Sequence, residues 1–132
     1  MKVSWEAGDG VIPMPINYSM AGLWATHVRA LAIIESAEDI GRFGDGCQAA
    51  NILQQHPAFF MQWYRDVGMD DTWHGAQIKA AAAFLQHYVD KLGLDLTIQA
   101  YNLGIEAIEQ GKRNVDYLAR WSDAFQRIRG GS

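Results

Sequence analysis

The sequence predicts an all-α domain of five or six helices, interrupted once by a short glycine-rich hairpin after the first main helix. Three observations predict it. Apolar residues recur at spacings of three and four, as in Val28, Leu31 and Ile34, in Ile78, Ala82, Leu85 and Val89, and in Leu118, Trp121, Phe125 and Ile128. Residues that end helices close the runs, Gly93 after one and Gly111 after another. Gly41, Gly44 and Gly46 crowd into one span, which suits a tight turn or small hairpin better than a helix.

Taken in order, residues 1–18 read as an extended lead-in, because Pro13 and Pro15 push their predecessors away from helix. Trp5 and Ile12 are candidates to pack onto the body. The domain proper is 19–129. Ser19 offers a helix cap, and Met20, Leu23, Trp24, His27, Val28, Leu31 and Ile34 trace one face of a helix ending near Ser36. After the hairpin the pattern turns helical from Gln48 through Ala49, Ile52 and Leu53, carrying Gln54. Pro57 ends that piece and starts another through Phe60, Trp63 and Tyr64. Gly68 to Asp71 is a polar break, and a long amphipathic helix through Ile78 and Val89 follows. Leu94 to Gln110 is apolar on more than one side, with Leu94, Ile98, Tyr101 and Ile105 on one and Leu103 on another, which marks a central helix. Asn114 caps the last helix, and Gly130-Gly131-Ser132 reads as a frayed end.

Composition narrows the function. A chain of 132 residues with 49% hydrophobic and 20% charged residues is one globular domain, not a disordered segment. A net charge of −4 argues against a nucleic-acid surface, which needs a basic face. Cys47 is the only cysteine, so the fold holds without an internal disulfide. No apolar run approaches the roughly 18 residues that span a bilayer. The first residues, broken by Gly8, Asp9, Gly10, Pro13 and Pro15, lack a signal-peptide pattern. If the protein works outside a cytoplasm, it is expected to be released, injected or part of a larger protein. A monomer is the expected state.

Glu35 is the anomaly of the first helix. At 100° per residue it falls beside Leu31, Val28 and Trp24, on the apolar face. It also sits in the last turn, where the helix dipole disfavours negative charge. Both effects favour the neutral carboxyl, as a general acid near neutral pH requires. The alternative is a glutamate at the edge of the stripe that reaches water past a frayed end. Other signals are absent. His27, His56, His74 and His87 lack zinc-ligand spacing, Gly104 to Lys112 is no phosphate loop, and Ser36 has no nucleophile-elbow context. No cofactor or metal is expected. Trp63 and Trp121 sit at core spacing.

The motifs around Glu35 resemble the lysozyme-like lytic transglycosylases and goose-type lysozymes, which cleave the glycan strand of peptidoglycan. Ile34-Glu35-Ser36 is similar to their catalytic glutamate followed by serine at a helix end. Gly44-Asp45-Gly46 is similar to the hairpin tip, and Ala49 through Gln54 to the glutamine segment. Gln55-His56-Pro57-Ala58-Phe59-Phe60 resembles the continuation in some relatives. Ala100-Tyr101-Asn102-Leu103-Gly104 is similar to the family's A-Y-N-x-G helix, and Gly111 through Tyr117 to the run into the last helix. The likeness covers roughly residues 28–122. Asn51 stands where the family usually has glycine, and Ala37-Glu38-Asp39 replaces the usual Gly-Gly.

The resemblance implies an α+β lysozyme-like fold and cleavage of the MurNAc-β-1,4-GlcNAc bond. Glu35 would act first as acid and then as base, ending in a 1,6-anhydro sugar. Ser36, Asp45, Asn51, Gln54, Tyr101, Asn102 and Tyr117 would contact substrate, and the partner would be peptidoglycan glycan strands outside the cytoplasm. Asp45, or after it Asp39, is a possible second carboxylate for a hydrolase; the alternative for Asp45 is a turn residue bonded to its own backbone. Tyr101 and Asn102 belong to the cleft or else to the core. The rival to the enzyme is a non-catalytic peptidoglycan-binding or structural domain of a phage or secretion apparatus with the same fold.

Overall fold

The computed structural model describes residues 16–38, 43–44, 49–50, 53–64 and 73–130. The lead-in up to residue 15, Asp39, Asp45, Asn51 and the break at 68–71 lie outside the described residues. The rest is mostly helical. A 3-10 helix, Tyr18–Trp24, leads into α1 (Ala25–Ser36), and α2 (Pro57–Tyr64), α3 (Trp73–Leu92), α4 (Leu94–Leu103), α5 (Ile105–Glu109) and α6 (Val115–Arg129) follow. Between α1 and α2, the two-residue strands β1 (Phe43–Gly44) and β2 (Ala49–Ala50) pair antiparallel, with Phe43 opposite Ala50 and Gly44 opposite Ala49. No helix among the described residues is long and apolar enough to cross a membrane.

Several element boundaries differ from the expectation, each for a local reason. The first helix is two pieces, because Gly22 adopts φ 61 and ψ −126, a conformation open to glycine and strained for other residues. Asn17, not Ser19, is the cap: its side chain accepts from the Ser19 backbone N–H at 3.1 Å. The kink also turns Leu23 out of the predicted stripe, leaving it 93% exposed. Ala49–Ala50 is strand and Leu53-Gln54 is turn, so the helix expected from Gln48 does not form. The backbone of Ala49 and Ala50 is instead taken up by the pairing with β1. Gly104, at φ 95 and ψ 150, splits the expected fourth helix into α4 and α5.

The core lies where α1, α3, α4 and α6 meet, filled by Val28, Leu31, Ile78, Leu85, Ile98 and Trp121. The expectation that the fourth run is central holds for α4, where Thr97, Ile98, Gln99 and Ala100 are buried in succession. The polar pair among them donates back along the chain. Thr97 Oγ1 donates to the Gly93 carbonyl at 2.7 Å, and Gln99 Nε2 to that of Asp95 at 3.3 Å. Helix α3 is buried on two sides. Ile78 and Leu85 face the main core, while Ala76 and Phe84 meet Trp63 and Phe59 on the other. Alanines at 80 to 83 let neighbours approach that closely.

α1 packs most heavily on α6. Trp121 stacks on Phe125 at 4.9 Å, and its indole N–H donates to the His27 carbonyl at 3.1 Å. The His27 ring lies among Trp24, Phe125 and Trp121, and its buried Nδ1 has no partner among the described residues. Burial, and then the charge of Arg129, lower the His27 pKa. The unfolded chain therefore takes up this proton before the folded one. The stability from a neutral His27 is full above about pH 6.5 and is lost as pH falls through the lowered folded value. Thermal melts run downward in pH are expected to show this acid loss, and His27→Leu to flatten it; a variant with the parent's slope would exclude His27 as the source.

Candidate active site

Glu35 lies one residue before the C-terminal end of α1 and is partly exposed. The helix closes on a left-handed cap: the Ala37 N–H donates to the Ile33 carbonyl at 2.9 Å, and that of Glu38 to Ala32 at 3.3 Å. Both cap residues have positive φ, 55 for Ala37 and 63 for Glu38. The chain therefore makes the glycine conformation with side chains present, at a cost of about 1–2 kcal/mol per residue. Glu38 offsets part of this, because its Oε2 accepts from the Tyr18 hydroxyl at 2.8 Å and from Arg29 Nε at 3.2 Å. The burial that Tyr18 gains there, together with Glu38, raises its pKa. Ala37 is exposed, so Ala37→Gly forfeits no packing. It is expected to stabilise the fold by about 0.5–1 kcal/mol, read as a higher urea midpoint at unchanged m.

Tyr117 reaches Glu35 from α6. Its hydroxyl donates to Glu35 Oε2 at 2.5 Å, and the residue is 2% exposed. The Tyr117 side chain, expected to contact substrate, is therefore turned onto Glu35. Asn114 sets the approach, since its side chain caps α6 by accepting from the Tyr117 backbone N–H at 3.1 Å. Tyr101 comes from α4, and its hydroxyl donates to the Leu53 carbonyl at 2.9 Å. Burial first, and the charge of Glu35 second, raise the pKa of both phenols well above the usual tyrosine value. Both stay protonated and able to donate at any physiological pH. Among the described residues, Glu35 is the only carboxylate whose charge acts on the two phenols.

The turn ahead of α2 is pinned from two sides. Leu53 gives its carbonyl to Tyr101 and donates its N–H to Gln77 Oε1 at 3.3 Å. Gln55, 5% exposed, donates Nε2 to the Gln77 carbonyl at 2.9 Å. Gln54, the predicted contact, is partly buried in the turn with φ 48. Its neighbour Gln55 is the more deeply buried of the two. Adjacent identical residues give a sequence no means of choosing between them, because the turn alone decides which one faces inward. Ser36 is 2% exposed, and its hydroxyl donates to the Ala32 carbonyl at 3.2 Å, a bond within its own helix.

A cavity of about 430 Å³ opens beyond Tyr101, within the usual size of small-molecule sites. Phe59, Trp63, Phe84 and Tyr88 wall it from α2 and α3, and Tyr101 and Asn102 from α4. Glu35 and Gln54 do not line it. Tyr101 is the common element, with its ring on the aromatic wall, 5.2 Å from that of Phe59, and its hydroxyl on the turn. Asn102 is exposed, and its Oδ1 accepts from Asn114 Nδ2 at 2.8 Å. The fold thus brings Glu35, Tyr101 and Tyr117 together, with Asn102 joined to them through Asn114. The support from Gln55, Gln77, Gln99 and Asn114 was not apparent as function in the sequence; Asn114 was legible as a helix cap alone.

Chemically, the arrangement among the described residues is a carboxyl with a phenol donor on one oxygen, held at the junction of α1 and α6. It can give and take one proton. No protein-family model, no curated protein and no solved structure matches the chain.

Proposed function

We propose that the chain is a lysozyme-like muramidase of the lytic-transglycosylase type, cutting the MurNAc-β-1,4-GlcNAc bond of peptidoglycan on the outer side of the cell membrane. The observation that carries the reading is Glu35 bound by the Tyr117 hydroxyl at 2.5 Å, beside Tyr101 from the A-Y-N-x-G segment. Tyr117, 82 positions from Glu35 in sequence, donates to its carboxyl, and the charge of Glu35 acts on Tyr101, 66 positions away. Glycoside cleavage needs an acid for the leaving oxygen and a stabiliser for the oxocarbenium-like centre. In this reading the substrate's own acetamide and 6-hydroxyl supply the second function. Glu35 would protonate the leaving oxygen and then take the 6-hydroxyl proton as that oxygen closes onto the anomeric carbon.

The test is release of soluble fragments from purified peptidoglycan, with mass analysis of their ends. Anhydro ends are the expected result, reducing ends mean hydrolysis, and no release removes the enzymatic reading. A second reading, a non-catalytic wall-binding domain, is favoured by one observation: the cavity is lined by Tyr101 and Asn102 but not by Glu35. Retention on the wall without product release would establish it.

A further inference from the structure

We infer that Asn114 is the positioning residue of this site, fixing the side-chain amide of Asn102 so that it presents a hydrogen-bond donor to substrate. The inference rests on the muramidase reading for the identity of that substrate. It starts from one backbone group. The Tyr117 N–H, in the first turn of α6, has no partner within its own helix and is given to Asn114 Oδ1 at 3.1 Å. With its oxygen used as the cap, Asn114 has only Nδ2 left to offer elsewhere.

That Nδ2 donates to Asn102 Oδ1 at 2.8 Å. The Asn102 amide is thereby set in turn: its oxygen is taken, and its own Nδ2 has no partner among the described residues. Asn102 is exposed and lines the cavity beyond Tyr101. What it presents there is a donor, and the matching ligand group is an acceptor, such as the carbonyl oxygen of an acetamide or a sugar hydroxyl oxygen.

Asn114 is itself held. Its backbone N–H donates to Gln99 Oε1 at 2.8 Å, and Gln99 is 4% exposed inside α4. The same residue therefore ties α6 to α4, places the helix turn from which Tyr117 reaches Glu35, and orients Asn102. A helix cap needs only the acceptor. The donor of Asn114 is surplus to capping, and it is spent on the cavity residue.

Asn114→Asp separates the two roles. Aspartate accepts from the Tyr117 N–H at least as well and sits favourably at a helix N-terminus, so thermal stability is expected to hold or rise. It has no N–H to give, and its second oxygen draws the Asn102 Nδ2 into a reversed amide. Asn102 then shows an oxygen to the cavity. The side-chain ¹⁵N resonance of Asn102 is expected to move, with slower proton exchange in the variant. KM for glycan strands is expected to rise about tenfold, the scale of one lost hydrogen bond with an unpaired acceptor left behind, while kcat stays within about twofold.

Asn114→Ala removes cap and orientation together and is expected to lose stability and kcat as well. Asn102→Ala should raise KM about as much as Asn114→Asp, and the double variant no further. An Asn102 resonance unchanged by Asn114→Asp overturns the orientation, whatever the activity. A shifted resonance with an unchanged KM overturns the substrate contact. A parent that releases nothing from peptidoglycan removes the muramidase reading and with it the substrate contact, while the resonances still decide the orientation.

Discussion

Glu35→Gln is expected to lower fragment release from purified peptidoglycan about a thousandfold, through kcat and not through KM. General acid–base catalysis by a positioned group contributes roughly 10²–10⁴, and here one carboxyl has both proton transfers to perform. The substitution is conservative for the fold. Glutamine keeps an oxygen that can accept the Tyr117 hydroxyl, so the contact at 2.5 Å has a neutral counterpart. Glu35 lies at the end of α1, outside the core formed by Leu31 and Ile98, and the thermal midpoint should change little. Activity lost with folding retained is therefore the diagnostic pair. A Glu35→Gln protein that clears peptidoglycan at the parent rate would remove Glu35 as the acid and the functional proposal with it.

Trp121→Ala is expected to destabilise the domain by about 3–5 kcal/mol, the range for truncating a buried aromatic. Trp121 is 4% exposed, stacks on Phe125 and holds the His27 carbonyl through its indole N–H. A typical domain has only about 5–15 kcal/mol in total, so a third or more of the stability is at stake. The loss should reach the site too. Trp121 lies one helical turn beyond Tyr117 on α6, so loosening α6 from α1 moves the phenol away from Glu35. Trp121→Phe keeps most of the packing and loses the hydrogen bond, and is expected to cost about 1 kcal/mol beyond its smaller ring. Urea unfolding of both variants measures this. A cost below about 1 kcal/mol for Trp121→Ala would mean that the α1–α6 seam does not depend on this side chain.

The parts of the fold legible in sequence were those with a long apolar period. α3 and α6 appear where the spacing put them, Asn114 caps as its type suggests, and Pro57 opens α2. The misreadings came from short pieces. The segment from Gln48 to Leu53 contains apolar residues at helix-compatible positions, yet Ala49–Ala50 within it pair with β1, a partner that no local pattern reveals. Leu23 fits the stripe of α1 by number, but Gly22 resets the backbone one residue earlier. Gly104 likewise breaks a run whose side chains alone read as continuous.

The sequence by itself placed Glu35 beside Leu31, Val28 and Trp24, because position on a helix face follows from counting at 100° per residue. Only the tertiary structure decided which groups Tyr101, Asn102 and Tyr117 meet, since hydrogen bonds between α1, α4 and α6 depend on how the helices cross. That crossing turned Tyr117 onto Glu35, set the Tyr101 hydroxyl on the Leu53 carbonyl, sent the Ser36 hydroxyl back into its own helix, and joined Asn102 to Asn114. It also showed how Ala37 and Glu38 stand in the left-handed region: the helix cap, and for Glu38 its bonds to Tyr18 and Arg29, compensate the strain.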